Sequence, residues 1–328
     1  MKNRTLAVVL ATGLLLVFAA AVAPAQADIT SGEFKKAFRD FADDMASSLP
    51  LTTTIGNNTS DAYIGQLLRV PPNIGLGLTV GAATIPYGTV ESLFDQLEIS
   101  VPGEIRNFDS FGVPNPAYTI DARIGGIVFP FDFGVKFGTL GSGGLNAGDL
   151  KMDYLLAGGD VRYALVQQSV LLPNISLGVG YNYMRGRILV PEVVKDSYVI
   201  EVDGVDDAEL TGSADAFLEW ETSVIDLKAQ ISKSFIILTP YAGFGAAYGV
   251  SSAGGGLKGN FSNTDELEDA GIDVDGKEIS VTSNVSGWSF RLFGGTSVNI
   301  MLLRLDLGLG YDILGENFVG TVGARVQL

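Results

Sequence analysis

The sequence predicts an all-β protein, an antiparallel transmembrane β-barrel of about 12 strands with a short N-terminal amphipathic helix. Three observations lead to this fold class. Segments of about ten residues alternate apolar side chains with Gly or polar side chains, which is the period of a strand. After residue 27, no segment offers the roughly 18 consecutive apolar residues that a spanning helix needs. The links between the strand-like segments are alternately short and long.

Residues 1–27 have the pattern of a secretory signal peptide. Lys2 and Arg4 are followed by an apolar stretch over 6–23, and the small residues Ala25 and Ala27 suit a signal peptidase. Because this pattern is typical of a segment that is removed after export, we exclude residues 1–27 from the predicted fold. The alternative is that these residues remain as a membrane anchor.

Residues 28–49 are predicted to form the amphipathic helix. Apolar side chains recur there at spacings of four, three and four, in the order Phe34, Phe38, Phe41 and Met45, with charged residues elsewhere. Such a helix could plug the lumen of the barrel or cap its periplasmic end. Simple closure of the barrel by packing is the structural alternative.

Residues 50–328 are the predicted barrel. In its clearest segment, Leu303, Leu305 and Leu307 alternate with polar residues and Gly. Eleven segments alternate if 62–70 is counted, and 49–56 is the candidate twelfth, because single-chain bacterial barrels usually have an even number of strands. The number therefore lies between 10 and 14. A ten-stranded barrel with everything before residue 72 folded inside as a plug is the main alternative.

The polar face of these strands predicts a lumen. A soluble β-sandwich would carry most of its charge on the exposed strand face, whereas this face is poor in charge, rich in Gly, and places opposite charges two to four residues apart. The predicted lumen-lining charges are nearly balanced, with five acidic and seven basic residues. They are Asp121, Arg123, Asp132, Lys136, Asp160, Arg162, Asp226, Lys228, Arg291, Arg304, Asp306 and Arg325.

The acidity of the chain is concentrated in three long links. Without the two basic residues of the signal peptide, the chain carries 19 basic and 37 acidic residues, a net charge of −18. Links 85–116, 189–213 and 251–286 contribute −15 of this charge. The missing basic surface excludes nucleic acid as a partner. The acidic links, including 201–207 and 269–275, could bind divalent cations, but solvated loop surface is the preferred interpretation of their carboxylates.

Aromatic residues near the strand ends predict the interfacial girdles of a membrane barrel rather than a ligand cage. They are Tyr87, Tyr118, Tyr154, Tyr181, Tyr183, Trp220, Tyr248, Trp288 and Tyr311.

The absence of His and Cys limits the chemistry of the chain. It removes Ser-His-Asp and Cys-His nucleophile pairs as well as His and thiolate metal sites. The strand carboxylates have Arg or Lys nearby, which suits ion pairing better than acid–base catalysis. We therefore expect no enzymatic activity, no catalytic residues, no metal site and no cofactor.

The last segment resembles the end of bacterial outer-membrane β-barrel proteins. Phe318, Val322, Val326 and Leu328 share one face there, although members of that class typically end in an aromatic residue. The resemblance covers the signal peptide and roughly residues 50–328. It implies location in the outer membrane, with outer-membrane lipid and the outer-membrane assembly machinery as partners. A plug ahead of the barrel is similar in architecture to fatty-acid transporters, but no motif of that family is present.

Two classes of function fit these observations. The first is passage of small solutes or hydrophobic molecules across the outer membrane, through a porin-like channel or a transporter. The second is a sealed barrel that acts as a structural or adhesin-like surface protein through its acidic loops. If the pore opens, we expect weak ion selectivity from the balanced lumen.

Overall fold

The computed structural model describes residues 32–67, 72–96, 106–140, 151–194, 198–202, 205–262 and 278–328. The predicted signal peptide lies outside these residues. None of the helices in the described ranges is long and apolar enough to cross a membrane. The elements are α1 (Gly32–Thr52), β1 (Ile74–Ile85), α2 (Tyr87–Gln96), β2 (Val113–Gly125), β3 (Phe131–Leu140), β4 (Lys151–Val166), β5 (Asn174–Val194), β6 (Tyr198–Val202), β7 (Val205–Ser232), β8 (Leu238–Ser262), β9 (Glu278–Ile300), β10 (Leu303–Asp312) and β11 (Phe318–Gln327).

Ten of the strands that the structure describes form a closed antiparallel ring. Strands β1 to β5 follow one another, β5 pairs with β7, and β7 to β11 complete the circuit. The ring closes where β1 pairs with β11, from Gly75 opposite Gln327 to Ala83 opposite Val319. Strand β6 pairs with the start of β7 and lies outside the ring. Closure removes the free sheet edges that would leave backbone groups unpaired in a lipid environment.

The outer face of the ring is apolar over the height of a bilayer core. On β1, Leu76 and Leu78 point outward and remain 59% and 48% exposed, while the alternate residues are Gly or small. On β4, the outward side chains from Leu155 to Leu165 carry no charge. Ten residues of a tilted strand span about 25 Å, the height of the apolar band of outer-membrane barrels. So much exposed apolar surface is compatible with lipid and incompatible with water.

The two ends of the barrel differ in the length of their links. Links 126–130, 167–173, 233–237 and 301–302 lie at the end where β1 begins and β11 finishes. Apart from the short link 313–317, the links at the opposite end are longer, and link 86–112 contains α2. Short turns face the periplasm and long loops face outward in barrels of this type. The termini of the barrel therefore lie at the periplasmic end.

The periplasmic turns are apolar at their tips. Leu171 is 89% exposed, and Ile236 and Met301 are 97% and 98% exposed. Polar groups in these turns form hydrogen bonds with one another. For example, Lys233 Nζ donates to the carbonyl oxygens of Ser169, Val170 and Leu172. The apolar exterior therefore continues down to the periplasmic rim.

The prediction of about 12 strands was wrong, because the two extra segments lie inside the barrel. Residues 49–52 end α1, residues 53–57 form turns, and residues 62–67 have no strand partner. Residues 68–70 lie outside the described residues. The ten-stranded alternative is the one that the structure adopts.

The long acidic links were also predicted too long. Strand β5 continues to Val194, β7 starts at Val205, β8 reaches Ser262 and β9 begins at Glu278. Strands of 23 to 28 residues exceed the 9 to 11 residues that cross a bilayer. The wall therefore extends above the membrane, where outward-facing charges such as Glu219 and Glu221 meet water.

Candidate functional site: a plugged lumen

The N-terminal segment passes through the lumen from the extracellular end to the periplasmic end. At the top, the Ser283 hydroxyl of β9 donates to the Asp43 carboxylate of α1. At the bottom, Gln66 Nε2 donates to the Val128 carbonyl oxygen in the β2–β3 turn, at 3.0 Å. We call residues 53–64, which lie between α1 and this lower end, the plug segment.

Side chains of the wall donate hydrogen bonds to main-chain carbonyl oxygens of the plug segment. Lys136 Nζ donates to the carbonyl oxygens of Thr53 and Ile55, the second at 2.9 Å. Lower down, the acceptors are the carbonyl oxygens of Asn57, Thr59 and Asp61, and the contacts are 2.6–2.8 Å long. Their donors are Lys228 Nζ, Gln230 Nε2 and Arg162 Nη1, respectively.

One carboxylate joins the plug segment to two cations of the wall. Asp132 accepts two hydrogen bonds from Arg162, at 2.8 and 2.9 Å, and a third from Arg123 at 2.5 Å. The Ile64 amide donates to the same carboxylate at 3.1 Å. Asp132 has no exposed surface, so its charge depends entirely on these donors.

A second contact of this kind fixes the register of the plug segment. The Asp61 carboxylate accepts from Arg304 on β10 and from Gln327 on β11, the latter at 3.0 Å. Unlike the main-chain contacts, these two depend on the identity of the plug residue. Asp61 therefore determines which residue of the segment lies at this level.

Ion pairs in the wall cross over glycine residues. The pair between Arg325 on β11 and Asp121 on β2, 2.6 Å long, passes over Gly77 on β1, where an added Cβ would lie 2.5 Å from the carboxylate. The pair between Arg123 and Asp160 passes over Gly134 on β3 in the same way. A side chain at either glycine would separate the partners.

The twelve charged residues predicted to line the lumen all lie on the inward face. Ten are buried, and Arg304 and Asp306 are half-buried. The structure brings most of them into ion pairs, including Asp226, whose carboxylate accepts from Arg291 at 2.7 and 2.8 Å. Of the four predicted plug residues, Phe41 and Met45 are fully buried, whereas the side chains of Phe34 and Phe38 lie outside the described residues.

The sequence interpretation named no site residue within 53–64, although its ten-stranded alternative placed this segment inside the barrel. It also missed Gln230, Asn182 and Ser232 as wall partners of this segment. The available signal was the run from Thr52 to Asp61, TTTIGNNTSD, which is rich in small polar residues and has neither helical nor strand periodicity.

The lumen is dry at the level of the plug segment. Residues Phe41, Leu49, Ile55 and Ala62 have no exposed surface, and the wall cations Arg123 and Lys136 are at most 5% exposed. Water-sized spaces would leave exposed surface on these side chains. This conformation of the barrel is therefore closed.

Three of the predicted girdle residues have another position. Tyr154 and Trp220 point inward and are buried, and they line a cavity of about 560 Å³ with Arg185, Arg187 and Glu219. Tyr87 lies on α2. Outward aromatic residues nevertheless cluster near the extracellular rim, where the Tyr248 and Trp288 rings are 5.4 Å apart.

The structure does not describe the carboxylates proposed to meet divalent cations. Residues 269–275 lie outside the described residues, and so do the side chains over 201–207. Within the described ranges, no group of three or more acidic side chains is arranged to hold a metal ion.

The surroundings of Asp44 predict that the docking of α1 on α2 depends on pH. Burial raises the pKa of Asp44 above its usual value, the Thr89 side chain on α2 lowers it, and Asp43 and Asp40 raise it further. A raised pKa in the folded state means that the docking is most stable below the ordinary pKa and weakens as pH rises through the raised value. We expect α1 amides to be better protected from hydrogen exchange at about pH 4 than at about pH 7, after correction for intrinsic rates. Asp44→Asn should abolish this difference in protection. If the protection of α1 amides depends on pH equally in wild type and variant, Asp44 is not its cause.

The comparisons with known proteins give weak likenesses. No family model matches the sequence, and no curated protein matches it. Among solved structures, outer membrane protease OmpT from Escherichia coli matches with a TM-score of 0.40 and 10% identity, over 78% of this chain and 95% of that chain. The translocator domain of autotransporter NalP from Neisseria meningitidis gives 0.33 and 10%, over 88% and 99%. The toluene transporter TbuX from Ralstonia pickettii gives 0.25 and 11%, over 90% and 97%.

These three proteins differ in their activities, and at such scores none indicates the role of this chain. The class follows from the barrel itself, whose ten ring strands have no free edge among the described residues and carry an apolar band of bilayer height. The protein is a β-barrel of the bacterial outer membrane.

Proposed function

We propose that the protein mediates gated passage of small polar solutes across the outer membrane, and that the plug segment is the gate. The observation that carries this proposal is the polar attachment of the plug segment to the wall through Lys136, Arg162, Lys228 and Gln230.

Polar attachment allows release in a way that apolar packing does not. When the segment leaves, water can take over the hydrogen bonds of the wall and of the segment, so each bond contributes only about 0.5–1.5 kcal/mol net, and somewhat more where a charge is involved. An apolar contact of the same area would instead expose apolar surface to water. The plug segment can therefore detach in steps, with the wall becoming hydrated behind it.

The inner face of the barrel, which becomes exposed when the plug segment leaves, favours polar cargo. It carries Arg123, Lys136, Arg162, Lys228 and other charges on its inner face. Hydrophobic molecules would have to cross this level without apolar contacts. Small hydrated solutes fit the chemistry of the wall better.

The competing function is a sealed barrel that acts as a structural or surface-contact protein. The dry lumen is the observation in its favour. The two functions differ in one respect, because a sealed barrel never conducts whereas a gated one conducts when the plug segment moves.

A disulfide that fixes the end of α1, directly above the plug segment, separates these functions. A Cβ added at Gly249 on β8 would lie 3.4 Å from the Pro50 Cβ, close to the roughly 3.5–4.5 Å between the Cβ atoms of a disulfide. The natural chain has no Cys, so the double variant Pro50→Cys/Gly249→Cys holds the only two thiols. In planar bilayers we expect intermittent currents from wild type, none from the oxidised double variant, and their return on reduction.

Pro50→Cys alone, treated with the same oxidant, is the control and should behave as wild type. Gly249→Cys alone is unsuitable, because its Cβ would lie 2.6 Å from the Pro50 ring. Currents that persist in the oxidised double variant would contradict gating by the plug segment. Silence of wild type and of the reduced variant would support the sealed barrel.

A further inference from the structure

The direction of the N-terminal segment has a consequence for topology. Its upper part, α1, contacts the extracellular half of the barrel, where Asp43 meets Ser283 near the start of β9 and Pro50 lies against Gly249 on β8. Its lower part reaches the periplasmic turns, where the Leu67 amide donates to the Gly126 carbonyl oxygen at 2.9 Å. The chain therefore runs from outside to inside before β1 begins.

The contacts in between follow one strand of the wall downward. The Asn57 carbonyl oxygen accepts from Lys228 of β7, and the Thr59 carbonyl oxygen accepts from Gln230, two residues nearer the periplasmic end of the same strand. The Ala62 amide then donates to Ser232, the last residue of β7 at the periplasmic end. From Asn57 to Ala62, the segment therefore descends toward the periplasm as its residue numbers rise.

We infer that the N-terminal end of α1 is presented at the cell surface, so that the barrel displays polypeptide joined ahead of α1 to the outside. Lys36, Arg39 and Asp40 near this end are exposed. Many of the wall contacts are to main-chain carbonyl oxygens of the plug segment and do not depend on its side chains, whereas the Asp61 carboxylate forms an ion pair with Arg304. This inference does not depend on permeation, since a sealed barrel would display α1 equally.

Cysteine labelling on whole cells tests this topology, because an engineered Cys is the only thiol of the protein. We would express the full chain with Lys36→Cys in a Gram-negative host and treat intact cells with a 5-kDa maleimide that cannot cross the outer membrane. Phe111→Cys, in the extracellular link before β2 and 67% exposed in wild type, is the surface control. Leu171→Cys, in a periplasmic turn and 89% exposed, is the periplasmic control.

We expect Lys36→Cys to be labelled on intact cells to the same extent as Phe111→Cys, and Leu171→Cys only after permeabilisation. Labelling of Lys36→Cys only after permeabilisation would overturn the inference, and so would absence of labelling in both states when the denatured protein does react. Arg39→Cys gives a second reading if Lys36→Cys fails to reach the membrane as a folded, heat-modifiable barrel.

Discussion

Deletion of residues 28–64 is expected to turn the closed barrel into a permanently open pore. The deletion removes α1 and the plug segment together, so the wall donors Lys136, Arg162, Lys228 and Gln230 lose their acceptors in the plug segment and become hydrated. In planar bilayers, the refolded variant should give stable step currents where wild type is mostly silent. The ring itself should persist, because its strands pair with one another and not with the deleted residues.

A shorter deletion of residues 28–49 is the matched comparison. It removes most of α1 but leaves the plug segment with its main-chain contacts to the wall, so we expect it to stay largely closed. Equal currents from both deletions would show that α1 is the gate instead. Absence of current in both would show that the wall side chains seal the barrel by themselves.

The open pore should be only weakly ion-selective. The described strands place seven basic side chains and, with Asp312 of β10, six acidic side chains on the inner wall, which favours anions slightly, while the acidic extracellular links attract cations to the mouth. The two effects oppose each other, and salt screens the exposed links more strongly than the enclosed wall. A strong preference for either ion at low salt would contradict this charge distribution.

Asp132→Asn is expected to destabilise the barrel by about 3–5 kcal/mol, the cost of breaking a buried ion pair by removing one partner. Asn keeps the shape of the side chain but leaves the buried guanidinium groups of Arg123 and Arg162 with one carboxylate fewer, and weakens the bond from Ile64. The measurement is the urea midpoint of unfolding of the folded barrel in lipid vesicles, followed by heat modifiability.

Asp153→Asn is the control for this variant. Asp153 also lies on the wall, but its side chain is outward, exposed and above the apolar band, so we expect a change within about 0.5 kcal/mol. A shift below about 1 kcal/mol for Asp132→Asn would mean that water reaches the cluster and that the lumen is not dry.

Much of the wall could be predicted because a period of two is a local property. Leu303, Leu305 and Leu307 alternate with inward residues in the sequence, and the structure places them on the outer face as expected. Alternation stops being informative above the membrane, where both faces tolerate polar residues. This is why the upper parts of β7 and β8 were predicted as loops.

The sequence left open whether the residues before 72 form two strands or fill the lumen, because the difference lies in which partners their backbone groups find. A strand bonds to neighbouring strands, whereas Thr53, Asn57 and Asp61 bond to side chains from distant parts of the chain. Such partners depend on the closed barrel and leave no local pattern.

The partners in each ion pair could not be predicted from the sequence either. Lys136 lies opposite Asp121 in the pairing of β2 with β3, and simple register would join them. Instead, Asp121 pairs with Arg325 across Gly77, and Lys136 turns to the plug segment. The inward charges were predictable from the strand period, but their pairing depends on which positions lack a side chain.

The seam between β1 and β11 sets an order for assembly. It joins Gly75 to Gln327 and Ala83 to Val319, so the ring cannot close until almost the whole chain is available. Bringing such distant residues together carries a large loop-closure entropy and makes closure the slow step of folding. The plug segment is synthesised before either strand of the seam, and a ring that closes around it needs no later passage of α1 through a finished, dry lumen. The last strand to be synthesised thus completes the enclosure of a segment that was synthesised before the first strand.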